Sequence, residues 1–166
     1  MSKLITCLWF VKNDGEEAVN YYIDTFKSAP GNHDAKLGDI TKSPKASEEV
    51  SGRPEGSVLT AECELDGISF MFLNGGPYDS FKLNGGTSFI IECETQEEID
   101  YFWEKLSAVP EAEQCGWCTD KFGVTWQVVP RILDEMMRDP SKADAVTEAF
   151  MPMKKIDLET IRKAGE

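Results

Sequence analysis

The stretch SFIIECETQEEIDYFWEKLS (residues 88–107) joins a strand-like run to a helix and indicates the fold class. Its first half is rich in β-branched and aromatic residues, which is typical of a strand. Thr95, followed three positions later by Glu98, forms a capping box that starts a helix. Apolar residues then recur at helical spacing, at Ile99, Phe102, Trp103 and Leu106. The stretch therefore predicts a strand followed by an amphipathic helix.

The same order occurs earlier in CLWFVKNDGEEAVNYYIDTF (residues 7–26), where Asn13 or Asp14 can cap the helix. A strand around residues 36–41 and two strands flanking the hairpin turn Asp66-Gly67 complete this half. Residues 43–56 are rich in Gly, Pro, Ser and charge, and we expect a mobile surface loop there.

The later half continues with two short strands about a turn at 121–123. Three short helices are predicted after Pro130, at 132–137, 143–150 and 158–164, the last capped by Asp157. The repeated element order suggests two βαβββ modules.

The totals exclude several classes of function. The chain has 166 residues, which favours one domain, and a net charge of -13, which disfavours nucleic acid and anionic membranes as partners. The longest nearly apolar run, residues 4–11, is too short to span a bilayer, and no signal peptide is indicated. The odd count of scattered cysteines, 5, fits a reduced, cytoplasmic protein.

These pieces resemble the vicinal oxygen chelate superfamily, which includes glyoxalase I, bleomycin resistance proteins and extradiol dioxygenases. More narrowly they resemble its PhnB-like branch, often labelled 3-demethylubiquinone-9 3-methyltransferase-like. The matching segments are residues 7–26 and 88–107, CGWCTDKFGVTWQVVPRIL (115–133) and MKKIDLETI (153–161).

The resemblance implies an α+β fold in a single domain spanning residues 1–166. Module one covers about 3–74, module two about 87–130, and C-terminal helices cover 131–166. The curved mixed sheets of the modules would form a cup that holds a ligand. Relatives commonly associate as homodimers, with or without exchange of strands between chains, so we expect a homodimer.

In metal-dependent relatives, side chains from both modules hold a divalent ion in the cup. Three of those positions fall here at Cys7 (or Thr6, if the register slips by one), Ser88 and Gln127. Neutral hydroxyl, thiol and amide groups are poor ligands for zinc or hard cations. We therefore expect no metal, and no other cofactor. No glycine-rich nucleotide loop that would suit S-adenosylmethionine is present.

Strand alternation predicts which side chains would face a ligand. If the three positions above face inward, so do Trp9, Ile90, Glu92 and Thr125. Glu92 could act as a general base, with Gln127 as hydrogen-bond donor, although a solvated or ion-paired role for Glu92 is the simpler interpretation. Trp9, Phe72 and Trp117 could form an aromatic wall, although aromatic strand residues more often belong to the core.

Cys115 and Cys118 form a Cys-x-x-Cys pair on a predicted strand. Three extended steps of about 3.3 Å would separate their Cα atoms by roughly 10 Å and point the thiols to opposite faces. A disulfide needs less than about 7 Å. We therefore interpret both as structural thiols rather than a redox or metal pair.

Two functions remain open. One is a metal-independent protein that binds an apolar or aromatic small molecule, as bleomycin resistance proteins do. The other is a metal-independent lyase or isomerase that uses Glu92 and Gln127. Burial of Glu92 beside a ligand would favour the enzyme, whereas exposure would disfavour it.

Overall fold

The computed structural model describes residues 4–166, which divide into two compact units, one ending at Leu83 and one running from Asn84 to Glu166. Each unit contains a mixed sheet and helices, so the α+β class is confirmed. Residue 3, where the first module was predicted to begin, lies outside the described residues. Among the described residues, no helix is long and apolar enough to cross a membrane.

The first unit has the predicted βαβββ order. Its elements are β1 (Thr6–Trp9), α1 (Gly15–Lys27), β2 (Ala35–Lys42), a short α2 (Glu48–Ser51), β3 (Val58–Leu65) and β4 (Ile68–Leu73). The sheet order is β1-β4-β3-β2, with β1 parallel to β4 and the other pairs antiparallel. The apolar stripe of α1 is buried, as its helical spacing predicts, at Ala18, Val19, Tyr22, Ile23 and Phe26.

Local signals set the turns of this unit. Asp66 and Gly67 both have positive φ, 46° and 82°, which suits the right-handed twist of the strands they join. The start of α1 differs from the prediction, since Asp14 makes no side-chain capping bond. Instead, the Oδ1 atom of Asn74 accepts a hydrogen bond of 2.8 Å from the backbone N–H of Gly15. A residue distant in sequence thus caps the helix.

The loop between β2 and β3 is not wholly a surface segment. It contains α2, and Ser43, Ser51 and Arg53 are buried within it. Its base is closed by backbone hydrogen bonds from Ser43 N to Ser57 O (2.7 Å) and from Gly56 N to Ser43 O (2.9 Å). The prediction of a surface loop is therefore wrong for these three residues.

The second unit has one strand fewer. Its elements are β5 (Ser88–Cys93), α3 (Gln96–Leu106), β6 (Trp117–Thr119) and β7 (Thr125–Pro130), in the sheet order β5-β7-β6. A 3-10 turn at Pro110–Ala112 lies where the pattern of the first unit has a strand, and proline cannot donate to a strand ladder. The capping box of Thr95 and Glu98 is confirmed.

The C-terminal helices α4 (Ile132–Arg138), α5 (Ala143–Phe150) and α6 (Leu158–Ala164) belong to this unit. They share an apolar core of Met136, Val146, Ile156 and Ile161. Asp157 caps α6, as predicted, by accepting from Thr160 N at 2.7 Å. The side chain of Gln96 anchors them to α3, since its Oε1 accepts from Leu158 N at 2.8 Å and its Nε2 donates to Ile156 O at 3.2 Å.

Candidate functional site

The sheet of the first unit has one face covered by α1 and one open face. Leu8 and Phe10 are buried on the covered face, whereas Cys7 is exposed and Trp9 half-buried on the other. Cys7 pairs with Met71 and Trp9 with Leu73 on the neighbouring strand. The register left open by the sequence is therefore the one that places Cys7, rather than Thr6, on the open face.

Phe72 does not lie on the open face, so its predicted place in a ligand-facing aromatic wall is wrong. It pairs with Leu8 in the parallel ladder and is 1% exposed. Its ring centroid lies 5.3 Å from that of Phe10 and 5.7 Å from that of Tyr22 on α1. Side chains alternate along a strand, so Phe72 must face opposite to Met71 and Leu73.

Trp9 belongs to an aromatic cluster that the sequence did not predict. Phe81 stacks on its ring with centroids 4.8 Å apart, and Tyr78 meets it edge-on at 5.8 Å. The indole Nε1 donates to Gly76 O at 3.0 Å. A Cβ atom on Gly75 would come within 2.1 Å of the indole, so only glycine fits there. The available signal was the segment GGPYDSF (residues 75–81), in which two adjacent glycines are followed by two aromatic residues.

The open face of the second sheet carries a row across all three strands. In register, Ile90 of β5 lies beside Gln127 of β7, which lies beside Trp117 of β6. Ile90 is 59% exposed, and the other two side chains are half-buried. The core face carries buried Trp126 and Val128, as alternation predicts.

Ser88 and Gln127 are joined directly. The amide Nε2 of Gln127 donates a hydrogen bond of 2.9 Å to the hydroxyl of Ser88. Thr125 lies beside Ser88 in the next row, but it is only 5% exposed and its hydroxyl lies 3.5 Å from that of Thr119. Thr125 was predicted to contact a ligand, and its burial leaves little of the residue exposed for such a contact.

Glu92 is an exposed residue at the end of this face, where it pairs in register with Val129. The charge of Glu92 acts on Arg131. The pKa of Arg131 is raised mainly by a hydrogen bond of 2.9 Å from its guanidinium to Glu94, and further by the negative charges of Glu94 and Glu92. The surroundings are therefore those of a solvated carboxylate near a cation.

The residues at the metal positions do not fit a divalent ion. Gln127 and Ser88 are neutral and bonded to one another. Although Cys7 is exposed at the surface, partial shielding of its thiol from water by neighbouring atoms raises the thiol's pKa, which favours the protonated form, whereas metals bind the thiolate. Across residues 4–166, no three His, Cys, Asp or Glu side chains are grouped so that they could hold a metal ion.

Cys115 and Cys118 occupy different settings, and both are free thiols. The prediction that Cys115 lies on an extended strand is wrong. Cys115 and Gly116 form a two-residue turn, with φ of 51° and 83° respectively. The Sγ atom of Cys115 donates to Met151 O at 3.2 Å. Cys118 lies in the core, where burial raises its pKa to about 12.

Comparison with known proteins identifies relatives of the whole sheet region. A family model described as 3-demethylubiquinone-9 3-methyltransferase matches residues 2–129. A solved PhnB protein from Bacillus cereus, described under that same name, is 28% identical, with a TM-score of 0.59, over 77% of this chain and 99% of its own. Protein PA1353 from Pseudomonas aeruginosa shares the fold, at 16% identity and a TM-score of 0.53, over 78% of this chain and 98% of its own. No curated protein matches the chain.

Proposed function

Because the chain belongs to the family described as 3-demethylubiquinone-9 3-methyltransferase, we propose that it is a small-molecule-binding protein of the glyoxalase and bleomycin-resistance type. We place it in the vicinal oxygen chelate superfamily. Its ligand is apolar or aromatic, binds on the open face of a sheet, and needs no metal ion or other cofactor.

The observation that carries this proposal is the row Ile90–Gln127–Trp117. It presents an exposed apolar side chain, an amide and an indole in one line across the second sheet. Binding sites for small molecules typically combine apolar and aromatic surface with a few oriented polar groups, and Gln127 is oriented here by its bond to Ser88. In the first unit, Trp9 with Met71 and Leu73 offers a similar surface.

Two activities are less well supported. The lyase or isomerase alternative needs Glu92 as a base shielded from water, and Glu92 is exposed. Methyl transfer, which the family description names, would need a site for a methyl donor, and the chain has no glycine-rich nucleotide loop. We therefore favour binding over catalysis.

The sheet edges support a homodimer. β2 is an edge strand and exposes Leu37 and Ile40, and the unpaired backbone groups of an edge strand can pair with a strand of another chain. We propose a cytoplasmic homodimer that does not bind nucleic acid, in keeping with the net charge of -13. Sedimentation velocity would show a dimer, and a monomer at all concentrations would contradict this part of the proposal.

A thermal-shift screen tests the proposed function. Apolar and aromatic metabolites and drugs are added to the protein in the presence of EDTA. A ligand at 100 times its dissociation constant stabilises the folded state by about 2.7 kcal/mol, so binders raise the unfolding midpoint measurably. Stabilisation that appears only with added metal, or none across a broad panel, would contradict the proposal.

A further inference from the structure

Arg53 is a buried arginine whose side chain has no partner among residues 4–166. It is 8% exposed, and its Nε is a buried donor with no hydrogen-bond acceptor in that part of the chain. Among residues 4–166, no side-chain hydrogen bond or ion pair of Arg53 is found, and only its backbone N–H is bonded, to Ser51 Oγ at 3.3 Å. Arginine keeps its charge at every accessible pH, and burying an unpaired charge is costly.

The chain offers carboxylates nearby that do not fill this role. Glu48, Glu49 and Glu55 lie in the same loop, but all three are exposed and none pairs with Arg53. The loop also buries the hydroxyl of Ser43, which is 2% exposed and likewise has no hydrogen-bond partner among the residues that the structure describes. One closed loop thus holds two buried groups that can donate hydrogen bonds, one of them cationic, and supplies no acceptor for either.

The loop lies at the end of the sheet where Trp9 is found. The loop joins β2 to β3, which pair in register at Lys42 and Val58. Leu73 of β4 and Trp9 of β1 lie at this same end of the sheet. A Cβ on Gly76 would lie 2.8 Å from Ser51 O, so the loop packs against the segment whose carbonyl accepts from the indole of Trp9. Arg53 follows Ser51 by two residues.

We propose that Arg53 binds an oxyanion, the carboxylate or phosphate group of a small molecule. A planar guanidinium binds such groups through two parallel hydrogen bonds, which would compensate both its charge and its donors. The net charge of -13 disfavours anions over most of the surface, and the Arg53 guanidinium supplies a local positive charge in this loop. This inference goes beyond the proposed function, because an oxyanion can bind at Arg53 whether or not an apolar ligand binds on the sheets.

Isothermal titration calorimetry on the full chain tests the proposal with two probes, inorganic phosphate and benzoate, against chloride at equal ionic strength. We expect the wild type to bind at least one probe, and the stronger of the two identifies the phosphate or carboxylate preference. Arg53→Met should weaken this binding at least tenfold, and Arg53→Lys should weaken it less. Lys45→Met, which removes an exposed cation from the same loop, is the matched control and should bind as the wild type does.

A second measurement covers the case in which a variant folds poorly. In the wild type, the NMR signal of the Arg53 Nε–H group should shift on titration with the bound probe. No binding of either probe by the wild type, no shift of the Nε–H signal, or equal binding by Arg53→Met would each overturn the proposal. The thermal-shift screen tests the proposed function separately when its ligands are neutral and carry no acid group. None of the outcomes above therefore decides whether an apolar ligand binds.

Discussion

Neighbouring residues on one strand have opposite roles in the first unit. Phe72 packs against Phe10 and Tyr22 beneath α1, whereas Met71 lies on the open face beside Cys7. The two positions therefore separate the contribution of core packing from that of a surface available to ligands.

Truncating these two side chains should have different effects. Phe72→Ala removes a buried ring and should lower the free energy of unfolding by about 3–5 kcal/mol. Met71→Ala removes a half-buried side chain and should cost about 1 kcal/mol. Urea unfolding measures both. Equal losses would contradict the assignment of Phe72 to the core and of Met71 to the open face.

Buried thiols make the stability depend on pH. Burial raises the pKa values of Cys63, Cys93 and Cys118 to about 12 in the folded chain. A thiol in the unfolded chain ionises near 8.5. The stabilising effect is therefore complete below about pH 8.5 and is lost as the pH rises toward 12, with a slope of up to about 1.4 kcal/mol per pH unit for each thiol.

Cys118→Ala should make this slope shallower between about pH 8.5 and 10. Val128→Ala is the matched control, since Val128 is also fully buried on the second sheet but does not titrate. It should lower the free energy of unfolding and leave the pH slope as in the wild type. Urea unfolding at several pH values measures both slopes, and an unchanged slope in Cys118→Ala would contradict the burial of this thiol.

At the scale of elements, local signals predicted most of the fold. The capping box at Thr95, the Asp66-Gly67 turn and the cap at Asp157 act over two to four residues, and each is confirmed. The cap of α1 could not be predicted, because its acceptor, Asn74, lies 59 residues away. The turn at Cys115 was also missed, because a non-glycine residue there adopts a positive φ in contact with Met153.

The C-terminal helices depend on one side chain of α3. Gln96 contacts the backbone on both sides of Asp157, at Ile156 O and Leu158 N. Gln96→Ala would leave these two groups without protein partners, and we expect a loss of about 1–3 kcal/mol in the free energy of unfolding. Hydrogen exchange should also become faster in α6.

Glu97→Ala is the control for this prediction, since Glu97 is exposed on the same first turn of α3. It should leave exchange in α6 unchanged. If hydrogen exchange in α6 is as slow in Gln96→Ala as in the wild type, the Gln96 amide does not hold the C-terminal helices in place.

At the scale of the molecule, strand alternation predicted which strand residues of the candidate site lie on an open face. It did not predict which loop residues pack against them. It placed Ile90, Gln127 and Trp9 on open faces, because period two is set by the backbone itself. It could not reveal that Phe81 stacks on Trp9, or that Arg53 is buried, because loops fold back on the sheet through contacts that leave no periodic pattern.

The most direct test of the proposed function is a fluorescence titration with N-phenyl-1-naphthylamine, a neutral aromatic probe. We expect the same affinity in EDTA and with added zinc or nickel. Ile90→Asp places a charge on the open face and should weaken binding about tenfold, or 1.4 kcal/mol. Val50→Asp, at an exposed loop position, should bind as the wild type does. Binding that requires metal, or equal binding by Ile90→Asp, would contradict a metal-independent apolar site on this sheet.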